Sequence, residues 1–459
     1  MYFRQFLRPD LGCASYLLGS AATGTAVVVD PQWDITGYLV AAEERGLRIT
    51  HIIETHNHAD HVSGHGKLAA ATGATIVIHE GAAPDYAHQA VRDGDTLRLG
   101  EIEIQVLHTP GHRPEHISLT VTDTTVGAGP QLVLTGDALF VGAVGRPDLA
   151  VVPAEGARAL FHSLHDKLLR LPDSADLYPA HVAGSLCGKA MRPERHSTIG
   201  YERRHNDALQ TNSEAAFVAD VTSDLPPQPP HFQQIVARNR GALLTADPVV
   251  PMLTPAAAAQ CIAEGAQVLD SRDIALFGEA HIPGAINVSL AGGGFPTRAA
   301  WVLDDAQPIV LVAADADGQA EALGALFAVG LDHIAGVLEG GMRAWAAAGQ
   351  PVEQLPQMPV AALQAALATD HAPFVLDVRD ADEWAGGHLA GAHHLPYQQV
   401  ARRRAEVPQD RPVVVMCGAG YRASIAASLL QRAGWPDVAN VIGGIEAWEA
   451  AGLPLVREA

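Results

Sequence analysis

The sequence predicts an α/β chain of more than one domain: a strand-rich N-terminal half with interspersed helices, then two copies of one domain built on a parallel sheet. Three observations carry this. At 459 residues the chain exceeds one ordinary domain. The segment TSDLPPQPPHF (222–232) packs four prolines into eleven residues, so it can be neither a regular helix nor a central strand. Beyond it the chain repeats itself. LDSRDIALFGEAHIPGAIN (269–287) aligns without gaps on LDVRDADEWAGGHLAGAHH (376–394). PIVLVAADADGQAEALGALFAVGL (308–331) aligns on PVVVMCGAGYRASIAASLLQRAGW (412–435), and GGMRAWAAAGQP (340–351) on GGIEAWEAAGLP (443–454).

In chain order, SYLLG (15–19), TAVVVDP (25–31), ITHIIE (49–54), ATIVIHE (74–80), IEIQVLH (102–108) and LVLTGD (132–137) are short β-branched runs ended by Gly, Asp or Pro, and they read as strands. GKLAAATG (66–73) reads as a helix between two of them. QQIVARNRGALL (233–244) gives one more short helix after the prolines. In each C-terminal copy, runs such as VLD, IVLVA and VVVM alternate with alanine- and leucine-rich stretches, which is the pattern of a parallel α/β sheet. The expected domains are 1–250, 251–355 and 356–459.

Composition narrows the function classes. Hydrophobic residues make up 48%, enough for packed cores. The formal charge of −21 argues against nucleic acid or an anionic membrane as partner, since both favour a basic surface. MYFRQFLRPDLG at the start holds no apolar run of signal-peptide length, and nothing approaches the roughly 20 apolar residues of a membrane span. Four cysteines, at 13, 187, 261 and 417, are no disulfide framework. The expectation is a cytoplasmic protein with reduced thiols. Cys261 is expected in a core.

THNHADHVSG (55–64) sets three histidines and an aspartate within six positions, between a strand and a helix. A hydrogen-bonded structural cluster would need many partners for His56, His58, Asp60 and His61, whereas a metal ion would use them directly. His112 in HTPGHRPEHIS, Asp137 in LVLTGDALF and His181 in LYPAHVAG each follow a strand-like run, on loops where a rigid scaffold presents chemistry.

Taken together, THNHADH (55–61), PGH (110–112), TGD (135–137) and PAH (179–181) resemble the metallo-β-lactamase superfamily. That resemblance implies an αββα sandwich with metal at one edge of the two sheets, over roughly residues 1 to 240. Two branches share the motif. Members similar to glyoxalase II use all seven residues for two metals and hydrolyse thioesters, Asp137 matching the bridging aspartate. Persulfide dioxygenases bind one Fe(II) through the residues matching His56, His112 and Asp137. Two histidines and a carboxylate leave positions open for a thiolate and O2. There, His58, Asp60, His61 and His181 would stand behind the metal, orienting ligands and water. TGDALFVGAVGRPDL (135–149), PAHVAGSLCGKAM (179–191) and STIGYER (197–203) look like the persulfide dioxygenases fused to sulfurtransferase domains. Within them Cys187 reads either as a small buried hydrophobe or as a thiol near the iron that handles persulfide. Arg146 and Asp148 read either as a structural ion pair or as part of a substrate anion site.

VVVMCGAGYRAS (413–424) is a strand, a cysteine, a short loop with two glycines and a helix. Loop N–H groups can converge on the Cys417 sulfur there, and the helix dipole favours an anion, which lowers a thiol pKa. Gly418 and Gly420 would allow backbone angles that other residues resist, and Arg422 would meet an incoming sulfur oxyanion. The segment resembles the rhodanese family, whose active loop begins with the persulfide-forming cysteine, and the resemblance covers nearly all of 356–459. In the other copy Ala313 stands where Cys417 does and Gly318 where Arg422 does, with an acidic loop between. Without a sulfur nucleophile, 251–355 is expected to be inactive, a spacer or docking surface.

In domain order the chain resembles multidomain persulfide dioxygenase–sulfurtransferases. This implies one Fe(II) per chain, a low-molecular-weight thiol persulfide and O2 as substrates, sulfite and thiosulfate as partners of Cys417, and a homo-oligomer acting in sulfide detoxification. The alternative is a two-zinc thioester hydrolase of the glyoxalase II type fused to a sulfurtransferase.

Overall fold

Alternation of β-branched core residues with small or polar ones builds two mixed sheets in the N-terminal unit. The computed structural model describes residues 1–188, 191–223 and 225–457. Lys189 and Ala190, inside the SLCGK stretch, and Glu458 and Ala459, at the end of the expected last domain, lie outside the described residues. The chain divides into two compact units, one of residues 1–247 with 327–330, the other of 248–326 with 331–459.

In the first unit, β1 (Tyr2–Arg8), β2 (Cys13–Ser20), β3 (Thr25–Val29), β4 (Arg48–Ile53), β5 (Thr75–His79) and β6 (Gln89–Val91) lie side by side in that order. The first three pair antiparallel, and β3 to β6 run parallel. A second sheet holds β7 (Thr96–Leu99), β8 (Ile102–His108), β9 (Ile117–Asp123), β10 (Leu132–Gly136), β11 (Asp176–Pro179) and β12 (Ser197–Thr198), again in sequence order. Between the sheets Tyr16, Leu18, Val27, Val29 and Ile53 meet Ile102, Ile104, Ile117, Leu119 and Leu134 in one buried core.

Each sheet buries its other face under helices. On the first, α1 (Thr36–Glu44) and α2 (His65–Thr72) set Tyr38, Ala41, Ala42 and Leu68 against Leu17, Val28 and Ile52. On the second, α3 (Pro153–His162), α4 (Ile199–His205) and α5 (Glu214–Val221) bring Leu160, Ile199 and Phe217 onto Val133 and Leu177. The layering is thus helix, sheet, sheet, helix, as the fold class requires. After the proline segment, α6 (Phe232–Arg240) places Phe232 and Val236 against Ala59, inside the THNHADH turn.

The second unit contains the repeat. Met252–Leu253, Gln267–Asp270, Ile286–Asn287, Ile309–Val312 and Ile334–Leu338 form a five-stranded parallel sheet, with order first, fifth, fourth, second, third. Gln357–Pro359, Phe374–Asp377, His393–His394, Val413–Met416 and Val438–Ile442 form a second sheet of the same order and direction. Details repeat as well: Arg272 clasps Asp270 as Arg379 clasps Asp377, at 2.6 and 2.7 Å. The Trp345 and Trp448 indoles donate to the Pro351 and Pro454 carbonyls. Cys261, expected in a core, is only half-buried on the helix Pro255–Ala263. Among the described residues no helix is long and apolar enough to cross a membrane.

Candidate metal centre and cysteine loop

Four loops that follow the C-terminal ends of β4, β8, β10 and β11 bring their ligand-type residues to one buried place. His56, His112 and Asp137 each offer a ligand atom, and these atoms lie within 4.8 Å of one another. The Nε2 atoms of His112, His181 and His56 stand 3.2, 3.3 and 3.9 Å from Asp137 Oδ2. The other ring nitrogens explain why Nε2 faces inward. His112 Nδ1 lies 3.0 Å from the Arg146 carbonyl oxygen and His181 Nδ1 3.2 Å from that of Gly12, so each Nδ1 must carry the proton and donate it. The Thr55 hydroxyl donates to Asp30 at 2.9 Å, which leaves its oxygen to accept from His56 Nδ1 at 3.0 Å.

Three imidazole lone pairs therefore converge on a carboxylate. None of these Nε2 atoms, and neither oxygen of Asp137, has a hydrogen-bond partner, although all are buried. Acceptor facing acceptor in a dry site is costly, and a cation between them removes the cost. The donor set fits a metal ion.

A second triad, His58, Asp60 and His61, also brings one ligand atom each within 4.8 Å. Its members have partners of their own. Asp60 Oδ1 lies 3.2 Å from His61 Nδ1, Asp60 Oδ2 lies 3.3 Å from Cys13 Sγ, and His58 Nε2 lies 3.2 Å from Asp30 and 3.4 Å from Glu54. The His58 Nε2 contacts are at ion-pair distance only; both ring nitrogens of His58, and His61 Nε2, stay without a hydrogen-bond partner.

Cys187 offers its sulfur within 4.8 Å of ligand atoms of Asp137 and His181. It is also packed with Phe140, Ala143 and Met191, and burial pushes its thiol up to about 12. Of the two readings of Arg146, the ion pair is what the geometry gives. Its Nε and Nη2 hold both Asp148 oxygens at 2.7 and 2.8 Å, and Nη2 and Nη1 also donate to the Pro226 and Leu186 carbonyls. Little of that guanidinium is left for a substrate in this arrangement. The space next to the centre is closed by Gly145, where a Cβ would collide with the Asp137 carbonyl oxygen and touch the His112 side chain.

In the second unit Cys417 directly follows the strand Val413–Met416 and is buried. Gly420 N donates to its sulfur at 3.1 Å. Gly420 has φ 110°, a region that glycine enters without strain, and it starts the helix Tyr421–Arg432. Gly418 has no such φ, and Glu446 Oε1 would stand 3.2 Å from a Cβ there. The fork of Arg422 is held by Glu383, at 2.7 Å from Nη2, and Asp380 Oδ2 lies 3.1 Å from Nη1. It therefore meets two carboxylates rather than open space. In the other copy, Ala313 follows the strand Ile309–Val312, and the Asp315 carboxylate accepts from Gly318 N at 2.8 Å. A carboxylate of the protein itself occupies the loop.

Comparison with known proteins places both regions in known families. Residues 8–181 match the metallo-beta-lactamase superfamily, and residues 254–348 and 360–451 each match the rhodanese-like domain. Over 198 residues the chain is 33% identical to the mitochondrial persulfide dioxygenase ETHE1 of Bos taurus, covering 42% of this chain and 72% of that protein. The chain belongs to the metallo-β-lactamase-fold persulfide dioxygenases fused to two rhodanese-like domains. A hydroxyacylglutathione hydrolase of Polaromonas sp. is 34% identical over 170 residues, 36% of this chain and 61% of that one. A metallo-beta-lactamase from Staphylococcus aureus subsp. aureus COL, known from its crystal structure, is 34% identical with a TM-score of 0.66. It covers 73% of this chain and 98% of its own.

Several residues of this persulfide dioxygenase-type centre escape a reading by motif. Asp30 ends the run TAVVVD and ties Thr55 through both its backbone N–H and its hydroxyl. Its position before Pro31 at a strand end is the only local signal. His116 Nε2 accepts from Asp137 N at 2.8 Å and so orients the carboxylate's backbone; its place four residues after His112 was the signal. Cys13 carries none, being a lone cysteine at the start of β2, yet its sulfur lies against Asp60 and its backbone pairs antiparallel with that of His181.

Proposed function

We propose that the chain oxidises the terminal sulfur of a low-molecular-weight thiol persulfide with O2 at one Fe(II), and that Cys417 exchanges sulfane sulfur with the sulfite released. The observation that carries this is the set of inward-facing, partnerless Nε2 atoms of His56 and His112 around the Asp137 carboxylate, in a chain of this family. The first reaction balances as RSSH + O2 + H2O giving RSH, sulfite and two protons. Fe(II) bound by His56, His112 and Asp137 supplies the redox chemistry that pairs a closed-shell persulfide with O2. The protein's own part is to fix the donors. Asp30 and Thr55 hold the His56 tautomer, the Arg146 carbonyl holds that of His112, and His116 holds the Asp137 backbone. Asp60 and His181 face one another beside the same centre, His181 Nε2 lying 3.5 Å from Asp60 Oδ2.

Cys417 is the nucleophile of the second reaction, with the Gly420 N–H donating to its sulfur. The loop at Ala313, with no thiol and with Asp315 seated in it, favours an inactive first copy.

One observation favours a second reading. His58 Nδ1 and His61 Nε2 are also without partners, and with Asp60 they would hold a second metal, whose added Lewis acidity would serve thioester hydrolysis.

Metal content per chain decides between the two, on protein purified without oxygen or added metal. One iron with little zinc, and oxygen uptake on a panel of persulfides, is the expected result. Two zincs per chain with thioester hydrolysis would overturn it.

A further inference from the structure

Arg422 is neutralised by Glu383 and Asp380, yet a sulfur oxyanion at Cys417 needs a cation. A second guanidinium stands beside the loop, and it comes from the first copy. Arg298 lies on the helix Phe295–Val302, which packs against the helix Tyr397–Arg403 of the second copy. A Cβ on Gly292 would stand 2.7 Å from Arg298 Nη1 and 2.6 Å from Tyr421 Cγ, so the guanidinium and the tyrosine ring meet at that glycine. Tyr421 links Gly420, whose N–H reaches the Cys417 sulfur, to Arg422.

Arg298 is half-buried, and among the described residues no carboxylate lies within ion-pair distance of it. Burial lowers its pKa, and the ionisable groups that act on it are Tyr397, Arg422, Cys417 and Asp380. Its position is set by a packed interface rather than by a surface loop. Ser424 Oγ, on the helix that follows the cysteine loop, donates to Asn287 Oδ1 of the first copy at 2.6 Å, and Asn287 N donates to Ser428 Oγ at 3.1 Å. All three residues are buried.

We propose that Arg298, supplied by the first copy, is the anion-binding residue of the Cys417 pocket and takes the sulfonate oxygens of thiosulfate, and of sulfite after transfer. The proposal rests on the reading of Cys417 as the persulfide carrier. In that step the Cys417 thiolate attacks the outer sulfur of thiosulfate. A bond forms between the two sulfurs, the S–S bond of thiosulfate breaks, and its electron pair leaves with sulfite. Thiolate and thiosulfate dianion thus become the cysteine persulfide anion and sulfite dianion. The first copy then completes the active pocket rather than spacing two domains apart.

The test is steady-state thiosulfate:cyanide sulfur transfer by the full-length protein. Arg298→Gln is expected to raise KM for thiosulfate about tenfold with kcat changed less than about twofold, because one charged hydrogen-bonding partner of the dianion is lost. Arg298→Lys, which keeps the charge, is expected to recover most of the affinity. The rise of KM with ionic strength seen in the unaltered protein is expected to flatten in Arg298→Gln. An unchanged KM in Arg298→Gln would overturn the proposal. So would a loss of kcat alone, or a loss that lysine fails to recover, since either marks a packing role. Cys417→Ser, run beside these, isolates the underlying reading: if it still transfers sulfur, Cys417 is not the carrier, whatever Arg298 does.

Discussion

Asn239 Nδ2 donates to the carbonyl oxygen of His58 at 2.9 Å, across 181 positions of sequence. The same amide donates to the His61 carbonyl at 2.9 Å and accepts from Ser63 N at 2.9 Å. One buried side chain on α6 thus holds the backbone of the histidine turn. Asn239→Ala leaves three buried backbone groups unpaired, at about 1–3 kcal/mol for the worst of them. The expected outcome is a loss of about 3 kcal/mol in urea denaturation, together with a fall in retained metal. Wild-type stability and metal content would mean that the turn holds itself.

Thr55→Val removes the hydroxyl between Asp30 and His56 at nearly constant volume. The His56 Nδ1 proton then has no acceptor, and either tautomer is open to the ring. Metal affinity is expected to fall about 10- to 100-fold, read by competition with a chelator, with the fold intact by circular dichroism.

The two chemistries should separate cleanly. His112→Ala is expected to abolish persulfide-dependent oxygen uptake and to leave thiosulfate:cyanide transfer intact. Cys417→Ser should do the reverse. If either variant lost both activities, the picture of two independent sites would be wrong.

Acid should weaken the N-terminal unit through Glu115. Burial raises the pKa of this carboxyl, but the Arg113 guanidinium, 2.7 Å away, and the Asn57 backbone N–H hold it below its ordinary 4.5. The folded value is the lower one, so the unfolded chain binds the extra proton as pH falls. The stabilisation is complete above pH 4.5 and is lost as pH drops through the folded value. Denaturation midpoints measured from pH 7 down to pH 3 should fall, and Glu115→Gln should fall less steeply. Parallel slopes would remove Glu115 from the account.

The sequence made the strand-following histidines and aspartate legible because each sits where a β-branched run stops, and a run stops at the same edge of the sandwich every time. His56, His112, Asp137 and His181 were therefore readable from pattern alone. So was the Cys417 loop, because its repeat partner shows what the same strand and helix look like without it. The occupancy of donors was not readable. GRPDL allowed the Arg146–Asp148 pair as one of two readings, but nothing in GRPDL or GYRAS says that Arg146 also serves Pro226, or that Arg422 is spent on Glu383 and Asp380. Those partners arrive from up to 80 residues away. Cys13 and Asn239 were silent for the same reason, since only the folded chain brings them to the histidine turn.

The close approach at Gly145 carries a consequence for how the protein tolerates change. The metal cup is shaped there by backbone pressed on backbone, with no volume for even a methyl group. A saturation library selected for activity should therefore show a position as intolerant as the ligands themselves, at a residue with no chemistry to lose. Alanine at 145 would push the Asp137 carbonyl aside and drag its carboxylate with it. In such a library the depth of the trough at Gly145 measures how little play the ligand geometry allows.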